Sequence, residues 1–264
     1  MKSVRRFMMI AALFMFAVLA AGCGGGGGSS VDYRQDDGTG ISATSTESGQ
    51  VLDNVSGWEK KAVFYHVWMR AFCDGEYSDG IGDLKGVISK IDYLNDLGVT
   101  AIWLSPIFEC SYKGDNMHGY DTTDYYRIND RFGTSEDVKN LLIAAHAKGM
   151  KVIFDFVPNH TSNIHPWVDS HPEYYKTASS DLGWPAPWGG SATTWYSHAG
   201  KWFYSAFCVD SLYDLDYMYT TDGGSTYPVR DVMKDVAQYW LDCGFDGIRV
   251  DAARYIVENG AGQQ

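Results

Sequence analysis

Basic residues are scarce: 21 Lys and Arg stand against 33 Asp and Glu, a formal net charge of −12. The first 22 residues hold three of those cations (Lys2, Arg5 and Arg6) and no acid, so the remainder is more acidic still. A surface so short of positive charge does not suit nucleic acid, which is excluded as a partner, and it does suit a neutral ligand. Cysteine is sparse too. Cys23, Cys73, Cys110, Cys208 and Cys243 fall at spacings that match no small disulfide scaffold and no zinc pattern. Beyond residue 21 no apolar run reaches the length of a membrane span. No glycine-rich phosphate loop follows the first predicted strand, which weakens a nucleotide-binding reading.

What is present begins with an address. Lys2, Arg5 and Arg6 precede an apolar run over 7–21, and Val18-Leu19-Ala20-Ala21-Gly22-Cys23 closes it with small residues. That order predicts an export signal over 1–22. The approach to Cys23 resembles a bacterial lipobox, which implies acylation of Cys23. The protein is then an exported, membrane-anchored lipoprotein on the outside of the inner or outer membrane, or on the cell surface, with a membrane as partner through its lipid. The glycines of 24–28 and the polar stretch after them are too poor in apolar residues to pack, so 23–57 reads as a flexible tether. Residues 58–264 are left for the folded domain.

From residue 62 strands and helices alternate. Strands are predicted at 62–67, 99–104, 151–154 and 245–250. Helices carry apolar faces at Leu84, Val87, Ile88 and Ile91, at Val138, Leu141, Leu142 and Ala145, and at Val229, Val232, Met233 and Val236. Asp83 is an N-cap, Thr134 with Asp137 a capping box, and Pro228 a first helical residue. Helices pass to strands through one or two residues around a glycine, whereas long excursions follow the strands, over 105–133 and 158–225. A (β/α)₈ barrel builds its active face from such loops; a doubly wound open sheet shares the alternation.

Polar residues gather where strands end. Residues two apart on a strand share a face, so Arg249 and Asp251 point the same way, and a cation beside a carboxylate keeps it ionised. A structural ion pair inside a barrel is the plainer account. The wider set of motifs is more specific. Asp155-Phe156-Val157-Pro158-Asn159-His160, Gly247-Ile248-Arg249-Val250-Asp251-Ala252, His118-Gly119-Tyr120-Asp121, Ile102-Trp103-Leu104-Ser105-Pro106 and Asp79-Gly80-Ile81-Gly82-Asp83 occur in the order of, and resemble, the motifs of the α-amylase family, glycoside hydrolase family 13.

The resemblance implies an α/β fold: the N-terminal half of a (β/α)₈ TIM barrel, a small domain inserted after strand three at about 161–224, and an end after strand four. It implies that Asp251 is a nucleophile forming a covalent glycosyl intermediate and that Arg249 orients it. Tyr120 stacks on the sugar, His160 bonds its hydroxyls, Asp155 supports Arg249 and Tyr120, and Arg254 contacts the leaving-group side. The family's usual basic-His pair reads Arg254-Tyr255 here. Ca²⁺ is the implied cofactor, with Asn159, Asp79 and Asp83 as metal residues; the spacing from Asp74 to Asp79 is one residue longer than the family's oxygen-ligand loop. The aromatics of the excursion, Trp184, Trp188, Trp195, Tyr196, Trp202, Phe203 and Tyr204, are read mainly as a local core with one or two lining a glucan groove.

The implied activity is retaining hydrolysis of internal α-1,4 bonds in starch-like α-glucans. Ala252 after Asp251, and Met117 where exo-acting relatives place an acid, favour the endo-acting side. Leu212-Tyr213-Asp214-Leu215-Asp216 keeps only the central Asp-Leu of a subfamily motif. The alternatives are a transglycosylase or α-glucosidase of the same family, or a non-catalytic glucan-binding protein. The family draws its acid, a Glu, from strand five and a further Asp from strand seven, so the expectation is a truncated, inactive chain.

Overall fold

A computed structural model describes residues 57–75, 78–111, 117–258 and 260–261. The expected export signal and all of the expected tether but Gly57 lie outside the described residues. The chain runs β1 (Phe64–Val67), α1 (Met69–Phe72), α2 (Leu84–Ser89), α3 (Ile91–Asp96), β2 (Ala101–Leu104), β3 (Phe108–Cys110), β4 (Thr122–Ile128), α4 (Ser135–Ala147), β5 (Lys151–Phe156), β6 (His160–Ser162) and α5 (Pro166–Ser170). It continues through β7 (Thr177–Ala178), β8 (Trp195–His198), β9 (Lys201–Tyr204), β10 (Leu212–Asp214), α6 (Pro228–Asp242) and β11 (Gly247–Val250).

All four predicted strands form, as β1, β2, β5 and β11, and they pair side by side in that order, every pair parallel. A doubly wound sheet reverses direction at a switch point. This one adds each new strand to the same edge, which is how a barrel wall is built. The two readings left open by the sequence are thereby separated within the described residues.

The helices start where their caps dictate. The Asp83 carboxylate accepts from the Gly86 N–H at 2.6 Å, and Thr134 and Asp137 form a reciprocal capping box. Pro228 opens α6. The single helix expected from Leu84 through Ile91 is instead two. The Ser89 hydroxyl donates to the Gly86 carbonyl at 2.7 Å, and the Lys90 N–H bonds to Val87, three residues back. A side chain competing for a helical carbonyl bends a helix, and here it separates α2 from α3 at Lys90.

Apolar faces of the helices meet the sheet around Trp240, whose indole lies 5.1 Å from the Phe108 ring and within reach of Phe154 and Phe245. Its N–H donates to the Tyr125 carbonyl at 2.8 Å, so this core indole is polar-satisfied as well as buried. At the opposite end of the strands from their polar tips, Asp246 accepts from Lys151 at 2.8 Å, from the Val152 N–H at 2.8 Å and pairs with His146 at 2.7 Å. Burial alone would raise its carboxyl, but those hydrogen bonds outweigh it and hold the group below its ordinary value. Gly98 and Gly149 turn their helices into the next strands at φ 85° and 72°, which a side chain rarely tolerates.

The long excursions carry small antiparallel pieces: β3 with β4, β6 with β10, and a three-stranded β7-β9-β8. Trp195, Phe203 and Tyr204 are buried there, as the core reading required, while Trp188 is 59% exposed. Cys73, Cys208 and Cys243 are free thiols, and Cys110 is buried with its sulfur accepting from the Asn129 amide at 3.0 Å. No helix among the described residues is long and apolar enough to cross a membrane.

Candidate active site

Parallel register sets Arg249 on β11 directly beside Asp155 on β5. One guanidinium nitrogen, Nη1, donates to Asp155 Oδ1 at 2.8 Å and to Asp251 Oδ1 at 2.6 Å. A single planar cation thus joins two acids from neighbouring strand ends. Asp155 is fully buried, and its second oxygen accepts from the Tyr120 hydroxyl at 3.1 Å and from the Trp103 indole at 3.3 Å. Burial raises the Asp155 carboxyl and Arg249 pulls it back. Burial, then the Asp155 and Asp251 charges, raise the Tyr120 phenol far above its ordinary value, so it stays a donor.

His160 opens β6 and is buried. Its Nε2 lies 3.0 Å from the Tyr120 carbonyl, a position that makes Nε2 the protonated nitrogen, and Nδ1 lies 3.3 Å from the Asn159 amide. Burial lowers its pKa to about 4, so the ring is neutral near pH 7. Both nitrogens already have protein partners, and a sugar hydroxyl would have to exchange with one of them. Phe207 packs edge-on against His160 at 5.1 Å between centroids, and Tyr255 and Trp188 stand next to Phe207. Ala252 takes φ 51° directly after Asp251, a costly left-handed conformation for a residue with a side chain.

The structure therefore brings together Asp155, Arg249, Asp251, Tyr120 and His160. Arg254 stands apart on the exposed turn, its guanidinium 5.8 Å from the neighbouring Tyr255 ring. Trp103, which completes the bonding around Asp155, was visible only as part of a motif.

The expected metal residues divide. Asp79 bonds the Ile81 N–H and pairs with Arg131 at 3.0 Å, while Asp83 accepts backbone N–H groups from Gly75 and Gly86. Those oxygens have other work. Asn159 differs: its Oδ1 is buried with no hydrogen-bond partner, and its amide donates to Asp214 at 3.0 Å. Asp214 is fully buried and shares a hydrogen bond with the buried Glu258, whose Oε1 also lacks a partner. Burial, with the charge of the other acid, pushes this pair upward, so it holds a proton. An amide oxygen and two carboxyl groups are hard donors that fit Ca²⁺. Asp214 was read only as a subfamily marker, and Glu258 carried no local signal.

Residues 66–263 match the family described as alpha amylase, catalytic domain. The chain is 39% identical over 204 residues to alpha-amylase 3 of Dictyoglomus thermophilum, covering 76% of this chain and 38% of that protein. It is 38% identical over 207 residues to an oligo-1,6-glucosidase of Heyndrickxia coagulans, covering 74% and 35%. Among solved structures, an alpha-amylase from H. orenii superposes with a TM-score of 0.59 at 39% identity, covering 75% and 41%. The trehalose-6-phosphate hydrolase of Bacillus licheniformis gives 0.66 at 32%, covering 78% and 39%. The chain spans well under half the length of these relatives.

Proposed function

Because the chain belongs to the family of alpha-amylase catalytic domains, we propose that it carries the nucleophile of a retaining glycosidase acting on internal α-1,4 bonds of starch-like glucans. The observation that carries this is Arg249 bridging Asp155 and Asp251 beneath Tyr120. Asp251 attacks the anomeric carbon as the C1–O bond to the leaving sugar breaks, and water later releases the glycosyl ester. The leaving oxygen takes its proton from a second carboxyl group about 5–5.5 Å from the first. Asp155 is not that group, since both its oxygens accept hydrogen bonds. Tyr120 offers a ring face to the sugar, and His160 fixes the Tyr120 backbone.

Asn159, Asp214 and Glu258 would hold Ca²⁺, which would supply the positive charge needed to ionise the two carboxyl groups. Segment 161–224, with its own three-stranded sheet, serves as the small inserted domain. Acylated Cys23 is the proposed membrane anchor, and a mature N-terminus elsewhere by mass spectrometry would refute it. One of the relatives above is an oligo-1,6-glucosidase, so an exo-acting α-glucosidase is the second reading; Ala252 and Met117 favour the first.

The test is covalent trapping with 5-fluoro-α-D-glucosyl fluoride, whose fluoride leaves with little help from a proton donor. The expected outcome is one glycosyl adduct on the Asp251 peptide, absent in Asp251→Asn. An adduct elsewhere, or none, overturns the assignment.

A further inference from the structure

We infer that His66 is a positioning residue for Asp251, acting through Trp103 and Arg249; the inference rests on the glycosidase reading above. His66 on β1 and Trp103 on β2 are direct register partners, so their side chains leave the sheet on the same face. Their rings stack with centroids 3.9 Å apart at an 18° interplanar angle. The Trp103 N–H reaches Asp155 Oδ2, and the Arg249 guanidinium carbon sits 5.1 Å from the Trp103 ring centroid. One side chain from each of the four parallel strands therefore makes a continuous row: His66, Trp103, Asp155, Arg249.

His66 is exposed while the core lies elsewhere, so packing alone does not account for so close a stack. A parallel stack fixes the tilt of the indole, and the tilt aims its N–H at Asp155. Asp155 in turn holds the guanidinium that holds Asp251. Desolvation against its neighbours, then the Arg249 charge, lower the His66 pKa below its ordinary 6.5. The ring is neutral above that lowered value and leaves Arg249 as the lone cation of the row. Protonation would set a second cation beside it. The charged and titratable groups it faces are Arg249 from β11 and, behind Trp103, Asp155, Asp251 and the Tyr120 phenol.

Two measurements on the 264-residue chain test this. In the first, trapping kinetics with 5-fluoro-α-D-glucosyl fluoride are compared for wild type, His66→Phe and His66→Ala. Phe keeps a stacking ring, so its inactivation rate constant at pH 7 should stay within about twofold, while Ala should fall about tenfold with reagent affinity within about threefold. Phe should also lose an inflection below pH 6.5 that wild type shows. In the second, tryptophan fluorescence is titrated against a Trp103→Phe blank. An imidazolium quenches a stacked indole, so the Trp103 signal should drop below pH 6.5, and the drop should vanish in His66→Phe. Ala as fast as wild type, Ala and Phe equally slow, or a fluorescence drop that survives His66→Phe overturns the inference. A wild type that forms no adduct on Asp251 refutes the glycosidase reading itself, and the positioning role falls with it. If His66→Ala does not fold, the Phe variant and the fluorescence titration decide.

Discussion

Replacing Arg249 with Lys keeps the charge but not the planar guanidinium that lies by Trp103 and joins Asp155 to Asp251. The expected result is an adduct rate about 10²-fold lower, with the fold intact by circular dichroism. Two buried histidines give a separate pH signature. Burial lowers the pKa of His160 to about 4 and of His165 to about 3. Between those values and 6.5 the unfolded chain binds protons that the native chain does not, so stability rises with pH through that window and is lost as pH falls. Urea midpoints measured from pH 7 down should fall, and His165→Asn should flatten the slope, because Asn can still cap Trp167 in place of the His165 Nδ1. At this scale the sequence was legible where residues are fixed by strand position: period two put Arg249 and Asp251 on one face, and the family resemblance added Asp155 beside them. Asp214 and Glu258 were not, because a buried carboxyl pair is made by tertiary approach. Raising free Ca²⁺ should increase Tm in wild type and leave Glu258→Gln unmoved; equal gains in both would remove Glu258 from the metal set.

Among the elements, the close packing of α2 on the segment after α1 rests on one missing side chain. A Cβ at Gly86 would stand 1.8 Å from the Cys73 carbonyl oxygen, so that backbone would have to shift. Gly86→Ala is expected to destabilise by about 1–3 kcal/mol, measured by chemical denaturation. Thr134→Ala removes half of the capping box on α4 and should cost about 1 kcal/mol by the same measurement. Helix starts were legible because capping residues announce them within four positions. The break at Lys90 was not, since apolar spacing continues across it and only the Ser89 hydroxyl reveals the bend.

For the molecule as a whole, the sequential order of β1, β2, β5 and β11 leaves β1 and β11 each paired on one side among the described residues. Val63, Phe64 and Val250 are 55%, 43% and 38% exposed at those two strands. Sedimentation of the 264-residue chain should therefore show concentration-dependent association; a monomer at every concentration would contradict it. Strand order was not legible, because alternation is common to both α/β architectures and only pairing tells them apart. The ends of these strands also differ in how much they tolerate. At one end, glycine-containing turns of three or four residues, longer than the one or two the sequence suggested, and the Lys151–Asp246–His146 cluster leave little slack. At the other, excursions already tens of residues long surround Asp251. Divergence between lineages should accordingly accumulate as insertions and deletions at the rim, with the base inherited nearly unchanged, and new specificities should arise there without renegotiating the fold.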